Sequence, residues 1–157
     1  MVVSENLLKW FLRLYPPLLF QRIWVVKISK GFTGARVKIS HSLLNRNYNR
    51  SIFGGTIFSA ADPFYPVLFH QLLSKKGYHV IVWSRSVEVQ FLKPGLSDLH
   101  FDLTLTNEEI NEATTSLDTI GKYVKAHPII INNTIGEICA SLMVEVHVRN
   151  LDFTEII

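Results

Sequence analysis

An apolar segment over residues 52–73 constrains the fold of this chain more than any other feature. Nearly all of its residues are apolar, and it carries a single carboxylate, Asp62. A helix that is apolar on nearly every side must be buried, so the rest of the chain has to surround it. Pro63 cannot donate to the carbonyl of Ser59, and Pro66 cannot donate to that of Asp62. The sequence therefore predicts a buried helix that kinks just after Asp62.

Alternation of apolar and polar residues predicts strands on both sides of this helix. Two strands precede the helix, the second over residues 35–40, and four follow it, over 79–91, 99–105, 123–131 and 138–148. Thr106 and Glu109 have the spacing of a capping box, which predicts a short polar helix over 107–117. Most consecutive strands are close enough for antiparallel pairing, so we expect an α+β fold with a sheet wrapped around one long central helix.

The N-terminal extension, residues 1–22, has its own pattern of apolar side chains at helical spacing: Leu7, Phe11, Leu14 and Leu18. Ser4 occupies the position of an N-cap. Lys9 and Arg13 interrupt the apolar run, and the Pro16–Pro17 pair would break a continuous spanning helix. We therefore expect two short amphipathic helices that pack on the domain or on a partner, in preference to a membrane-surface anchor, and no stable membrane insertion.

Composition limits the classes of function. The 157 residues fit one domain, 1–157. Charged residues make up 18% of the chain, a smaller fraction than in an ordinary soluble domain, which favours an interface beyond the monomer core. The net charge of +3 comes from scattered Lys and Arg without the basic, aromatic-interleaved run of many nucleic-acid binders, so no nucleic acid is expected. A single cysteine excludes an intrachain disulfide and fits a cytoplasmic protein. The six histidines show no metal-ligand spacing, so no metal is expected.

The polar loop that enters the central helix supplies the candidate site. The glycines Gly54 and Gly55 leave backbone N–H groups unpaired at the helix start, and Gly55 is the candidate donor to an oxyanion. Asp62 then acts either as general base for water or as nucleophile, and Asn47 positions the substrate. The same residues also have simpler explanations: a hydrogen-bonded helix acid, ordinary helix-start geometry, and turn chemistry in the Asn-rich run 45–49.

These features together resemble the hotdog fold: a Gly pair opening a central helix, an Asp seven residues after the second Gly, the Phe-Leu-Lys-Pro-Gly strand end at 91–95, and a long final hairpin. Within that thioesterase superfamily the chain is most similar to the phenylacetate-type acyl-CoA thioesterases and to a related uncharacterised bacterial hotdog family, over roughly residues 23–149. Their motif has Asn, then His-Gly-Gly, then Asp in the helix. Here Asn47, Phe53–Gly54–Gly55 and Asp62 take those places, with Phe53 in place of the His.

The resemblance implies hydrolysis of an acyl-CoA thioester by an Asp-dependent mechanism, in a homodimer or a dimer of dimers. Catalytic roles fall to Asp62, Gly55 and Asn47, and substrate-binding roles to Gly54, Phe53, Phe58, Ser84, Arg85 and Lys93. Ser84 and Arg85 lie on the strand that commonly pairs with its twin in hotdog dimers, and Lys93 lies where coenzyme A phosphates would dock. Coenzyme A is expected as part of the substrate and no other cofactor. Because Phe53 replaces the His, the alternative is a non-catalytic hotdog dimer that binds an acyl or aromatic ligand.

Overall fold

A computed structural model of the protein describes residues 2–154, which form one antiparallel sheet around a central helix. The six strands lie in the order β1-β2-β4-β5-β6-β3. Their bounds are β1 Ile23–Ile28, β2 Gly34–Ile39, β3 Val80–Phe91, β4 Leu99–Thr104, β5 Lys122–Asn133 and β6 Ile138–Asn150. The predicted α+β hotdog architecture is confirmed, and β1 and β3 are the two edge strands.

The central helix is divided at the predicted position. The first part, α3, runs over Gly54–Ala61, and the second, α4, runs over Phe64–Lys75. Asp62 caps the end of α3, and Pro63 precedes α4. Because neither Pro63 nor Pro66 has an N–H to continue the helical hydrogen-bond ladder, the helix breaks beside the carboxylate.

The core lies between this divided helix and one face of the sheet. Val144, Val146 and Val148 of β6 are fully buried, as their alternation predicts. Phe69 and Leu73 of α4 are also fully buried. The apolar face of the sheet and the apolar helix therefore bury each other, which is the main source of stability in such a layered fold.

A fifth helix in the chain, α5 (Asn107–Thr119), connects β4 to β5 and begins with the predicted capping box. The Thr106 hydroxyl accepts from the Glu109 N–H at 3.1 Å, and the Thr106 N–H donates to the Glu109 carboxylate at 2.8 Å. Strands β4 and β5 pair only at Leu99–Asn133 and His100–Asn132. Helix α5 belongs to the chain segment that connects these two strands.

Two short helices precede the sheet, as predicted: α1 (Glu5–Leu14), capped by Ser4, and α2 (Pro16–Leu19). On α1 the predicted apolar side chains Leu7, Phe11 and Leu14 do not pack on the domain, since they are 44%, 52% and 61% exposed. The buried side chains of α1 are those of Leu8 and Leu12, and on α2 the predicted Leu18 is buried. Since α1 is apolar over more than half of its circumference, periodicity alone does not select which half packs. Among the described residues, no helix is long and apolar enough to cross a membrane.

Candidate functional site

The loop before α3 is held in place by Asn45, whose side chain is buried. Its amide nitrogen donates to the carbonyls of Gln21 and Ser40 at 2.8 and 2.9 Å, and its amide oxygen accepts from the Ser42 N–H at 3.0 Å. The Asn45 carbonyl also accepts from the Phe53 N–H at 2.7 Å. Asn45 therefore closes the base of the loop, in agreement with its interpretation as a turn residue.

Asn47 organises the tip of the same loop. Its amide oxygen accepts from the Asn49 N–H at 2.9 Å, and from the N–H and hydroxyl of Ser51 at 3.2 and 3.1 Å. Its amide nitrogen has no hydrogen-bond partner among residues 2–154. Because the oxygen is fixed by three donors, the two N–H bonds of this amide have a set direction and are available to an acceptor.

The glycine pair opens α3 without a side-chain cap. Phe53 is the N-cap residue, and its carbonyl accepts from the N–H groups of Thr56 and Ile57 at 2.9 and 3.3 Å. Within the described chain, neither the Gly54 N–H nor the Gly55 N–H has an acceptor. Two backbone donors therefore remain at the positive end of a helix dipole, an arrangement that favours anionic ligands.

The two glycines open into different clefts. Gly54 lines a cleft of about 330 Å³ together with Asn47, Phe91 and Lys93. Gly55 lines a neighbouring cleft of about 450 Å³ that also holds Asn45, Arg46, Phe53 and Ser59. The structure therefore brings Asn47 next to Gly54, while Gly55, the expected oxyanion donor, lies beside the Phe53 ring.

Aromatic rings crowd both glycines. A Cβ atom at Gly54 would lie 3.0 Å from Cζ of Phe91, and a Cβ atom at Gly55 would overlap the ring of Phe53. Both rings are more than half exposed, at 58% for Phe91 and 56% for Phe53. The absence of side chains at Gly54 and Gly55 therefore allows aromatic rings to cover the start of α3.

Asp62 lies at the opposite end of α3. Its side chain is half-buried and makes no hydrogen bond or ion pair with any residue in the described range. Within the described residues, neither Thr56 nor Ser59 hydrogen-bonds this acid, and a bond to a partner chain stays a prediction. A helix rises 1.5 Å per residue, so Asp62 and Gly55 are separated by roughly 10 Å along α3. Within one chain, the Asp62 carboxylate and the Gly55 N–H therefore do not reach the same carbonyl group.

The Ser84 side chain contacts the backbone of Asp62. The Ser84 hydroxyl donates to the Asp62 carbonyl at 2.9 Å, which provides a donor where Pro66 has none. Arg85 is the extra residue of a bulge in β3 and pairs with Glu145 at 3.4 Å. Its side chain is thus engaged by a residue of β6.

Two further predicted binding residues lie on the surface. Lys93 lines the Gly54 cleft and pairs with Glu137 at 2.6 Å. Phe58, on α3, is 43% exposed. Within one chain the predicted residues therefore form separate groups: Asn47 with Gly54 and Lys93, Phe53 with Gly55, and Asp62 with Ser84.

A polar cluster that was not predicted from the sequence lies buried beneath α5. His127 is fully buried, its Nδ1 lies 3.1 Å from a Glu109 carboxylate oxygen, and its ring lies 4.7 Å from that of Tyr65. Burial lowers the pKa of His127, against the opposing attraction of Glu109. The His127 Nε2 and the Tyr123 hydroxyl are buried and have no partner among the described residues. The signal in the sequence that could have indicated this cluster is the position of His127, which falls in the alternating series of buried residues of β5.

Comparison with known proteins gives the same fold. Residues 4–152 match the model of a family described as "Domain of unknown function (DUF4442)". No curated protein matches the chain in sequence. Among solved structures, the chain is similar to PA5026 of Pseudomonas aeruginosa, a protein of unknown function described as a probable thioesterase. The TM-score is 0.85 at 16% identity, over 96% of this chain and 98% of that one.

Two other solved structures carry related descriptions. The thioesterase HI1161 of Haemophilus influenzae has a TM-score of 0.72 at 13% identity, over 99% of this chain and 96% of that one. The PaaI protein of E. coli, from the phenylacetic acid degradation operon, has a TM-score of 0.60 at 16% identity, over 96% and 99% of the two chains. At these identities the likeness establishes the hotdog fold.

Proposed function

We propose that this chain, which belongs to the family described as "Domain of unknown function (DUF4442)", hydrolyses an acyl thioester of coenzyme A. The observation that carries the proposal is the cleft lined by both Asn47 and Gly54, whose amide nitrogen and backbone N–H have no acceptor among the described residues. The probable thioesterase PA5026 and the thioesterase HI1161 have the same fold, which supports this class of reaction.

The chemistry requires donors that bind charge as it develops. When water attacks the thioester carbon, the carbonyl oxygen becomes an oxyanion that the N–H groups at the start of α3 stabilise. One such donor contributes about 3 kcal/mol to lowering the barrier. The tetrahedral intermediate then expels the sulfur of coenzyme A, the C–S bond breaks, and the proton taken from water passes to the leaving thiolate. The Asn47 amide orients the carbonyl for this attack.

Asp62 is the group that takes the proton from water or attacks the carbon itself. Because about 10 Å of helix separates it from Gly55 in one protomer, we assign the acid and the glycines of one site to two different protomers. The long edge strand β3 supports such a pairing, since its free backbone groups are open to a second copy of the same strand. The functional unit is thus a homodimer or a dimer of dimers.

The clefts also suggest how the substrate is held. Lys93 lies beside the Gly54 cleft and provides a cation for the phosphates of coenzyme A. Phe53 replaces the His of related motifs with an apolar ring over Gly55, which favours an aliphatic or aromatic acyl group there. The only cysteine, Cys139, is buried and free, which is compatible with the reducing cytoplasm where acyl-CoA substrates occur.

A panel of short, medium, long-chain and aromatic acyl-CoAs, assayed for free thiol, tests the proposal. We expect Asp62→Asn to lower kcat at least 100-fold, since general-base catalysis contributes on the order of 10²–10⁴-fold. Asp118→Asn is the matched control, because Asp118 is an exposed acid whose carboxylate accepts a hydrogen bond from the Tyr78 hydroxyl. Equal activity of wild type and Asp62→Asn would refute the assignment.

Mixing two inactive variants tests the shared site. In a mixture of Asp62→Asn with Asn47→Ala, each mixed dimer contains one intact site, so about a quarter of wild-type activity is expected to return after subunit exchange. No recovery, with exchange verified by mass spectrometry, would show that one protomer supplies the whole site.

The alternative function is ligand binding without turnover. The observation that favours it is the overlap of the Phe53 ring with the space beside Gly55, which narrows access to one oxyanion donor. Calorimetry that detects tight acyl-CoA binding, together with no thiol release across the panel, would establish this alternative.

A further inference from the structure

One half of α1 remains uncovered on the domain. Leu7, Trp10, Phe11 and Leu14, which we call the α1 apolar face, are 44%, 44%, 52% and 61% exposed. They follow the i, i+3, i+4, i+7 spacing, so they form one continuous stripe along the helix. Leu8 and Leu12 on the other half anchor the helix in the core. Isolated exposed apolar residues are ordinary, whereas a continuous stripe marks an interaction surface.

The apolar surface continues past the end of α1. Tyr15 and Phe20, at either end of α2, are 52% and 69% exposed. Trp10 lies edge-on to Trp24 of β1, with ring centroids 6.4 Å apart. Tryptophan and tyrosine side chains have an apolar body and a polar edge, a combination that suits the boundary between lipid and water.

Cations border this stripe on one side. Lys9, Lys27 and Lys30 line a cleft of about 420 Å³ between α1 and β1, which we call the lysine cleft. None of the three forms an ion pair with a residue in the described range. The Lys9 ammonium lies 6.0 Å from the centre of the Trp10 ring, so the cations adjoin the α1 apolar face. The acid of the cleft, Glu5, is already engaged by the Gly31 N–H and by Lys75.

Arg13 reinforces the same border. Its guanidinium lies 4.7 Å from the Trp10 ring centre and 4.4 Å from that of Trp24, and its Nε donates to the Val25 carbonyl at 2.8 Å. These contacts hold the two tryptophans and the helix in one fixed arrangement. The surface is thus preformed, which reduces the entropy lost on docking.

We propose that α1 docks the protein reversibly on a bilayer containing anionic phospholipid, with the α1 apolar face at the acyl boundary and the lysine cleft on the lipid phosphates. Apolar burial and the attraction of Lys to phosphate then act together, as in other interfacial helices. A second copy of this chain fits less well. A symmetric contact through α1 would bring the lysine clefts of two copies, each with a net charge of +3, towards each other.

Co-sedimentation with vesicles of phosphatidylcholine alone, and of phosphatidylcholine with phosphatidylglycerol, tests this surface. We expect binding to the anionic vesicles that weakens with added salt, and at least tenfold weaker binding to phosphatidylcholine. Tryptophan emission should shift to the blue on the anionic vesicles, because Trp10 enters a drier environment. Equal binding to both vesicle types, or none to either, would overturn the proposal.

Variants of the two parts of the surface complete the test. Phe11→Ser combined with Leu14→Ser should weaken vesicle binding at least tenfold, and each of Lys9→Gln and Lys27→Gln should weaken it about fivefold on anionic vesicles only. Ile120→Ser is the matched control, because Ile120 is 58% exposed between α5 and β5 and should not change binding. Thermal melting verifies that each variant is folded. If the α1 double variant bound vesicles as wild type does but changed the oligomer size by light scattering, the face would be a contact between copies.

Discussion

The Ser84 hydroxyl donates to the carbonyl of Asp62 at 2.9 Å, and this bond links the edge strand β3 to the break in the central helix. The carbonyl would otherwise lack its helical donor, because Pro66 has no N–H. A single strand residue thus stabilises the helix interruption beside the acid that we propose for catalysis.

Replacing this serine should cost stability. We expect Ser84→Ala to lower the free energy of unfolding by about 1 kcal/mol, the usual contribution of one hydrogen bond. Urea denaturation measures the effect. Ser86→Ala, two residues along β3 at an exposed position, is the control and should change stability by less than about 0.5 kcal/mol. Equal losses in both variants would argue against a special role for Ser84.

Gly55 and Phe53 should be energetically coupled. Alanine is favoured over glycine within a helix by about 1 kcal/mol, but a Cβ atom at Gly55 would overlap the Phe53 ring. We therefore expect Gly55→Ala to bring no gain in stability in the wild type, and a gain of up to about 1 kcal/mol in the Phe53→Ala background. A double-mutant cycle by chemical denaturation measures the coupling. Strict additivity of the two substitutions would show that the ring moves aside without cost.

Stability should fall on mild acidification. Burial lowers the pKa of His127, so the folded protein keeps this imidazole neutral where the unfolded chain is already protonated. Unfolding then takes up a proton, and stability is lost as the pH falls below about 6.5. Burial lowers the pKa of His70 and His147 in the same direction, so they contribute to the same slope.

The variant His127→Leu isolates this residue. Its free energy of unfolding between pH 7 and pH 5 should fall less steeply than that of the wild type, by at most about 1.4 kcal/mol per pH unit. Denaturation curves across that range give the slope. An unchanged slope would mean that His127 takes up no proton on unfolding.

The attachment of α1 should depend on Arg13. We expect Arg13→Gln to lower stability by about 1–2 kcal/mol, because it removes the stacking on Trp10 and Trp24 and the bond to the Val25 carbonyl. Arg46→Gln, at an exposed position, is the control. Tryptophan fluorescence during denaturation reports on this region directly. A loss as small as that of the control would show that Leu8 and Leu12 alone hold the helix.

Most of the fold could be predicted from local residue patterns. The alternation of Val144, Val146 and Val148, the prolines after Asp62 and the capping box of Thr106 and Glu109 each act within a few residues, so they could be interpreted without a tertiary structure. Contacts between distant segments could not. Nothing near Ser84 in sequence indicates that it meets Asp62, and nothing near His127 indicates Glu109, because both pairings depend on how strands and helices pack.

Residue patterns were enough to predict that a buried helix opens on a glycine pair, breaks beside Asp62 and is surrounded by strands, because backbone chemistry and hydrophobic periodicity are local properties. The cleft that Gly54 shares with Asn47, and the place of Gly55 beside Phe53, depend on how distant segments pack. The same packing buries Leu8 and Leu12 of α1 and leaves Phe11 and Leu14 exposed. The physical reason is that a chain with more apolar surface than one core can bury must expose part of it, and packing geometry selects which part.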